Sequence, residues 1–107
     1  MRLAMLIDLT RCAGCGACVM ACKAENGTAN DIYWCDVKME EKGKYPKCSV
    51  RYMPVSCMHC TDAPCVAVCP TGASYKAKDG RSLINTDECI GCESCIDACP
   101  YKVRFFN

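Results

Sequence analysis

The sequence predicts an α+β fold of short elements, and three observations predict it. The chain has 107 residues, one small domain's worth, which is marginal without help from something other than a hydrophobic core. Fourteen of those residues are cysteine, far above ordinary usage. The chain also repeats itself. Residues 6–22, LIDLTRCAGCGACVMAC, align without gaps with residues 83–99, LINTDECIGCESCIDAC, and agree at eight of seventeen positions. The block from Cys57 to Pro70 is a looser third copy. The repeating unit is a strand, a cysteine loop and a short helix.

Taken in order, Arg2–Leu9 is expected as a short strand. The Cys12–Cys18 loop leads into a helix near Gly16–Glu25, which Asn26-Gly27 stops. Residues 28–49 read as irregular and polar, with turns at Lys42-Gly43 and Tyr45-Pro46. Val50–Val55 alternates and is expected as a strand. Pro64–Cys69 reads as a helix of one to two turns. Ser74–Ala77 and Ser82–Asn85 read as short strands joined through Asp79-Gly80, a hairpin signal. Glu93–Cys99 is a further short helix, and the remainder is extended to Asn107. The division expected is residues 1–49, a cysteine tetrad with an irregular extension, and residues 50–107, a closed module. No element is long enough to build a large core.

A cysteine-rich short chain first suggests a disulfide scaffold in an oxidising compartment. That reading needs a secretory signal. The apolar run Leu3–Ile7 is only five residues long before Asp8, too short for one. No stretch approaches the roughly 18 apolar residues of a membrane span. The expectation is therefore a soluble chain assembled in the reducing cytoplasm, its thiols available for metal. Lys38, Lys42, Lys44 and Lys47 flank one loop, and Lys76, Lys78 and Arg81 another. They read as solvated charge, since no basic face with interleaved aromatics points to nucleic acid.

Twelve cysteines fall into three tetrads. The first is Cys12-x2-Cys15-x2-Cys18-x3-Cys22. The second is Cys57-x2-Cys60-x4-Cys65-x3-Cys69, followed by Pro70. The third is Cys89-x2-Cys92-x2-Cys95-x3-Cys99, followed by Pro100. Cysteines two residues apart in a loop can wrap their thiolates around one corner of a cubane, and Gly14 and Gly91 allow the backbone to come close. This spacing is that of 4Fe–4S ligands, where in two-cluster proteins the fourth cysteine of a tetrad ligates the other cluster. The crossing rule pairs Cys57, Cys60 and Cys65 with Cys99, and Cys89, Cys92 and Cys95 with Cys69. The extra residue beside Pro64 predicts a local bulge without a change of ligands. Zinc sites instead use two separated C-x2-C pairs or cysteine with histidine. The formal charge of +1 counts every cysteine as a neutral thiol. Two bound clusters would take the chain to about −3 and three to about −5.

For Cys12, Cys15 and Cys18 the crossing rule asks for a further tetrad, and the sequence has none. Three readings stay open: Cys22 folds back as the fourth ligand, Cys35 or Cys48 supplies it, or the site is incomplete and holds a three-iron or labile cluster. The plain reading of Cys35 and Cys48 is as small buried apolar residues. His59, inside a motif that already has four cysteines, reads as a hydrogen-bonding neighbour of the cluster more readily than as a ligand. Tyr33, Trp34, Tyr52, Tyr75 and Tyr101 read as packing against clusters, and Thr71-Gly72 as a turn.

The order of tetrads, with Cys57-Met58-His59-Cys60, then Ala63-Pro64-Cys65-Val66-Ala67-Val68-Cys69-Pro70-Thr71-Gly72-Ala73-Ser74, then Cys99-Pro100-Tyr101, resembles the iron–sulfur subunits of molybdopterin oxidoreductases. These include polysulfide, thiosulfate and dimethyl sulfoxide reductases and formate dehydrogenases. The resemblance spans essentially the whole chain. It implies a ferredoxin-like two-cluster module with an N-terminal half-module, electron relay between a molybdopterin-containing catalytic subunit and a membrane anchor subunit, and no catalysis by this chain alone. It implies membrane association through those partners, on either face. Family members continue to a fourth tetrad, whereas this sequence stops at Asn107, so the expectation is a chain truncated before it; a natural three-tetrad protein is the other reading. The rival functions are a free-standing ferredoxin carrier and, of another class, a zinc or redox-sensing binding module.

Overall fold

A computed structural model describes residues 1–106. It is a small mixed helix and strand structure with seven short elements: α1 (Ala17–Asn26), β1 (Cys35–Lys44), β2 (Lys47–Ser56), α2 (Pro64–Ala67), β3 (Ser74–Lys76), β4 (Ser82–Ile84) and α3 (Ser94–Ala98). They fall into two compact units. One runs from Met5 to Ser56, and the other joins Met1–Ala4 to the chain from Cys57 onward. No helix among the described residues is long and apolar enough to cross a membrane.

In the first unit α1 is bounded by two left-handed glycines, Gly16 (φ 74°) and Gly27 (φ 58°). Gly27 is the expected helix stop. Lys23, in the last turn, complements the carbonyl end of the helix dipole. Its ammonium then pins the following loop, donating to the carbonyls of Ala29 (2.6 Å) and Ile32 (2.8 Å) and lying 4.5 Å from the centre of the Tyr33 ring.

The expected irregular stretch 28–49 is corrected from residue 35 onward. β1 and β2 form a ten-residue antiparallel ribbon that turns at Tyr45-Pro46, from Cys35 opposite Ser56 to Lys44 opposite Lys47. Glu40 faces Arg51, and Lys38 faces Met53. Such cross-strand pairs, with the ladder itself, hold a ribbon that buries little. The polar residues 35–49 carry no period-two signal because most of them face water, whereas the alternating Val50–Val55 falls within β2 as expected. Only near the base does a side chain become buried, at Val55.

The expected strand Arg2–Leu9 does not form. Although each two-stranded sheet has free edges, this segment pairs with none of them. Leu3, Met5 and Leu6 are largely exposed. The segment ends in a turn, where the Asp8 carboxylate accepts from the Thr10 N–H (3.0 Å) and hydroxyl (2.6 Å).

In the second unit α2 packs against α3 and β3. The hairpin β3–β4 pairs Ser74 with Ile84, Tyr75 with Leu83 and Lys76 with Ser82. Both helices are shorter than expected, and the fourth cysteine of each tetrad lies beyond the helix rather than inside it. Pro70 and Pro100 explain this, because a residue before proline is pushed out of the helical region. Cys99 is extended (φ −74°, ψ 114°). Cys22 is followed by Lys23 and stays inside α1.

Gly14 has φ +68°, and a Cβ there would lie 2.5 Å from the Tyr52 ring. Gly16 has a similar φ, with open space around it. Gly14→Ala is therefore expected to destabilise by about 2–4 kcal/mol, and Gly16→Ala by only about 1–2 kcal/mol. Urea midpoints of the two variants, prepared without oxygen, check the order.

Candidate metal centres

The three cysteine loops share one backbone recipe. The residue before the second cysteine is left-handed in each: Gly14 (φ 68°), His59 (φ 45°) and Gly91 (φ 67°). Gly16 and Glu93, each just after the second cysteine of its tetrad, are left-handed as well. The third cysteines, Cys18, Cys65 and Cys95, each occupy the second residue of a helix, α1, α2 and α3. Alternating backbone hands turn successive N–H groups to one side and form a concavity suited to anions such as thiolates and sulfides. Aromatic rings lie over two of the loops: Tyr52 against Gly14, and Phe106 against Gly91, where a Cβ would meet the ring at 3.0 Å.

Two cavities open in the second unit. Cys57, Cys60, Cys65 and Cys99 line one, together with Ala63, Pro64, Ser82, Tyr101, Val103 and Arg104. Cys69, Cys89, Cys92 and Cys95 line the other, with Thr71, Ala73, Ser74, Ile84 and Glu93. Three cysteines of each set come from one tetrad and the fourth from the other. All fourteen cysteines are free thiols. Among the described residues no three His, Cys, Asp or Glu side chains converge closely enough to hold a single metal ion. The thiols stand around a space, as ligands of an iron–sulfide core must. Ser82 lines the first cavity, and its buried Oγ has no hydrogen-bond partner. A cluster sulfide or thiolate would supply the acceptor, so these residues fit the group the spacing implies.

The thiols are not equivalent. The Ser74 N–H donates to Cys69 Sγ (3.4 Å) and the Thr71 hydroxyl lies 3.7 Å from it. Led by the Ser74 contact, these bring the Cys69 thiol down to about 7. The Ser94 side chain lowers Cys92 in the same way. Burial raises Cys65, opposed by the charge of Arg104.

His59 accepts the Ser82 N–H at Nδ1 (3.1 Å), which lies 3.8 Å from Cys57 Sγ. A neutral ring using Nδ1 as acceptor cannot also donate from it, so His59 ties the loop to β4 and does not donate to Cys57 from that nitrogen. Lys76 reinforces the tie, donating to the carbonyls of Cys60 (2.6 Å), Gly80 (2.7 Å) and His59 (3.2 Å).

In the first unit Cys12 and Cys15 precede α1, Cys18 lies in its first turn and Cys22 in its middle. Cys35, at the start of β1, is half-buried and neighbours Cys18 and Cys22. Burial, with the neighbouring Cys18 and Cys22, pushes its thiol up to about 11. Cys48 is exposed on β2, which corrects the buried reading. Of the aromatic residues expected against the sites, Tyr52 covers the first loop and Tyr101 lines a cavity. Tyr33 serves Lys23, while Trp34 and Tyr75 are exposed. Sequence reading missed Ser74, Ser82, Lys76 and Arg104. For Thr71 a signal existed, since a hydroxyl two residues after a cysteine can close a local turn. For the others only the fold brings them to the cysteines.

With this geometry the molecule is a 4Fe–4S binding protein. Residues 48–107 match the family described as a 4Fe-4S dicluster domain, and residues 3–24 match a 4Fe-4S binding domain. The chain belongs to the 4Fe-4S dicluster domain family. It is 53% identical over 107 residues to the arsenate respiratory reductase iron-sulfur subunit ArrB of Shewanella sp. (strain ANA-3), covering 100% of this chain and 46% of that protein. It is 42% identical over 105 residues to the thiosulfate reductase electron transfer subunit PhsB of Salmonella typhi, covering 96% and 55%. It is 43% identical over 108 residues to the protein NrfC of Escherichia coli (strain K12), covering 99% and 48%. The chain thus spans about half the length of these relatives.

In the iron-free chain Cys69 is expected to alkylate well ahead of Cys35 at neutral pH. Its lowered pKa means the reactive thiolate is present above about pH 7 and lost as pH falls through it. Thr71→Ala should move that half-point upward. Peptide mapping after timed iodoacetamide labelling reads both.

Proposed function

We propose that this chain relays single electrons through 4Fe–4S clusters as the iron–sulfur part of a larger oxidoreductase. In this reading Cys57, Cys60, Cys65 and Cys99 hold one cluster, and Cys69, Cys89, Cys92 and Cys95 a second. Cys12, Cys15, Cys18 and Cys22 hold a third, with Cys35 beside them. The observation that carries the reading is the pair of cavities, each ringed by three cysteines of one tetrad and the last cysteine of the other. The clusters supply the one-electron chemistry. The protein holds them in a partly apolar shell, places N–H and O–H donors on the ligand sulfurs and sets the local charge.

The relatives' names support a place in a reductase complex. The proposed partners are a molybdopterin-containing catalytic subunit and a membrane anchor subunit, with the substrate handled on the catalytic subunit. Trp34, Met39, Tyr45, Phe105 and Phe106 are exposed, more apolar surface than a freely diffusing carrier needs and in keeping with a subunit.

Iron and acid-labile sulfide, counted on protein prepared without oxygen, test the reading. About twelve of each per chain are expected for three cubanes, and about eight would restrict the clusters to the second unit. A colourless, zinc-loaded protein would overturn it. Replacing Cys99 with serine should cost one cluster of the pair and leave the other's EPR signal in place.

A further inference from the structure

The two four-cysteine cavities differ in their charge. Beyond the cysteines, one charged side chain lines each: Arg104 in the cavity of Cys57, Cys60, Cys65 and Cys99, and Glu93 in that of Cys69, Cys89, Cys92 and Cys95. Arg104 is half-buried, and its Nη1 donates to Ser74 Oγ at 2.8 Å. Ser74 is itself 3% exposed and lines the other cavity, where its N–H donates to Cys69 Sγ. The guanidinium is therefore held in one place on the wall of the first cavity by a residue that also belongs to the second. Glu93 is exposed, so water and salt screen its carboxylate more than they screen Arg104.

We propose that Arg104 and Glu93 polarise the pair, so that the centre held by Cys57, Cys60, Cys65 and Cys99 has the higher reduction potential and the first electron entering the pair rests there. The proposal rests on the cluster ligation proposed above and adds an order of filling. Reduction brings one electron from an external reductant and no proton, and it makes the four-thiolate site one charge more negative. A fixed cation on the wall stabilises that added charge, and a carboxylate opposes it. Arginine stays protonated across the accessible pH range, so its effect does not titrate away. Local charge and hydrogen bonding to the sulfurs are among the levers that set iron–sulfur potentials.

The test is EPR-monitored potentiometric titration of the full chain, with iron counted on each sample. Arg104→Gln keeps a donor for Ser74 Oγ and drops the charge. It should move the higher midpoint of the pair to more negative potential, while Arg104→Lys, which keeps the charge, leaves that midpoint near its wild-type value; movement of the lower midpoint instead would overturn the order. Glu93→Gln should move the other midpoint, by a smaller amount and to more positive potential. Unchanged midpoints in iron-replete Arg104→Gln would overturn the proposal. So would movement of the same midpoint by Arg104→Gln and Glu93→Gln, or an Arg104→Lys shift as large as that of Arg104→Gln. Should Arg104→Gln fail to retain iron, Glu93→Gln decides: a shift of the lower midpoint of the pair to more positive potential supports the proposal, and a shift of the higher midpoint, or of neither, overturns it. Wild-type protein without iron would instead overturn the ligation reading, so the two failures are distinguishable.

Discussion

Side-chain burial in this chain is too slight to hold it together, and the architecture follows from that constraint. Among the described residues the buried apolar set is Val19, Val55, Ala63, Cys65, Ala73 and Cys99, with no large side chain fully enclosed. Two of the six are cysteines of the candidate centres. A buried valine contributes about 1.5–3 kcal/mol, against a cost of about 1–2 kcal/mol for fixing each residue's backbone. Helices of four and five residues cannot stand on their own. The short helices of both units have one role in common. Each carries the third cysteine of a loop and fixes the direction in which its thiol points.

The same constraint accounts for the polar network. Lys76 gathers three carbonyls from the second cysteine loop and the β3–β4 turn, and Lys23 ties down the loop after α1. In a larger protein an apolar core would immobilise such loops. Here ammonium groups do so, with backbone carbonyls as acceptors. The left-handed residues at Gly14, His59 and Gly91 carry the remaining conformational load. At His59 a non-glycine residue is kept in that region by the Ser82 N–H.

Legibility in the sequence followed physical cause. The ends of α1 were readable because glycine marks a left-handed stop, and the β3–β4 hairpin because Asp79-Gly80 marks a turn. The grouping of cysteines around the two cavities follows spacings that are themselves local. Strand β1 was not readable from Lys38, Glu40, Glu41 and Lys42, because a strand exposed on both faces has no alternation to show, whereas the alternating Val50–Val55 did mark its partner β2. Arg2–Leu9 looked like a strand from its apolar run, but pairing is a property of the partner. Cys35 meets Cys18, and Arg104 meets Ser74, only through the fold, across separations that no spacing rule covers.

The crossing of the fourth cysteines also bears on biosynthesis. A ribosome releases Cys57, Cys60 and Cys65 well before Cys99, so the cavity they line stays open on one side while the β3–β4 hairpin and the third loop are made. The other cavity waits from Cys69 until Cys95. Both therefore close within a few residues of each other, at the very end of this stretch of chain. A nascent polypeptide stalled before Cys89 would present three thiols at one site and a lone thiol at the other. On the proposed ligation, metallation of the pair would be tied to completion of the same short segment.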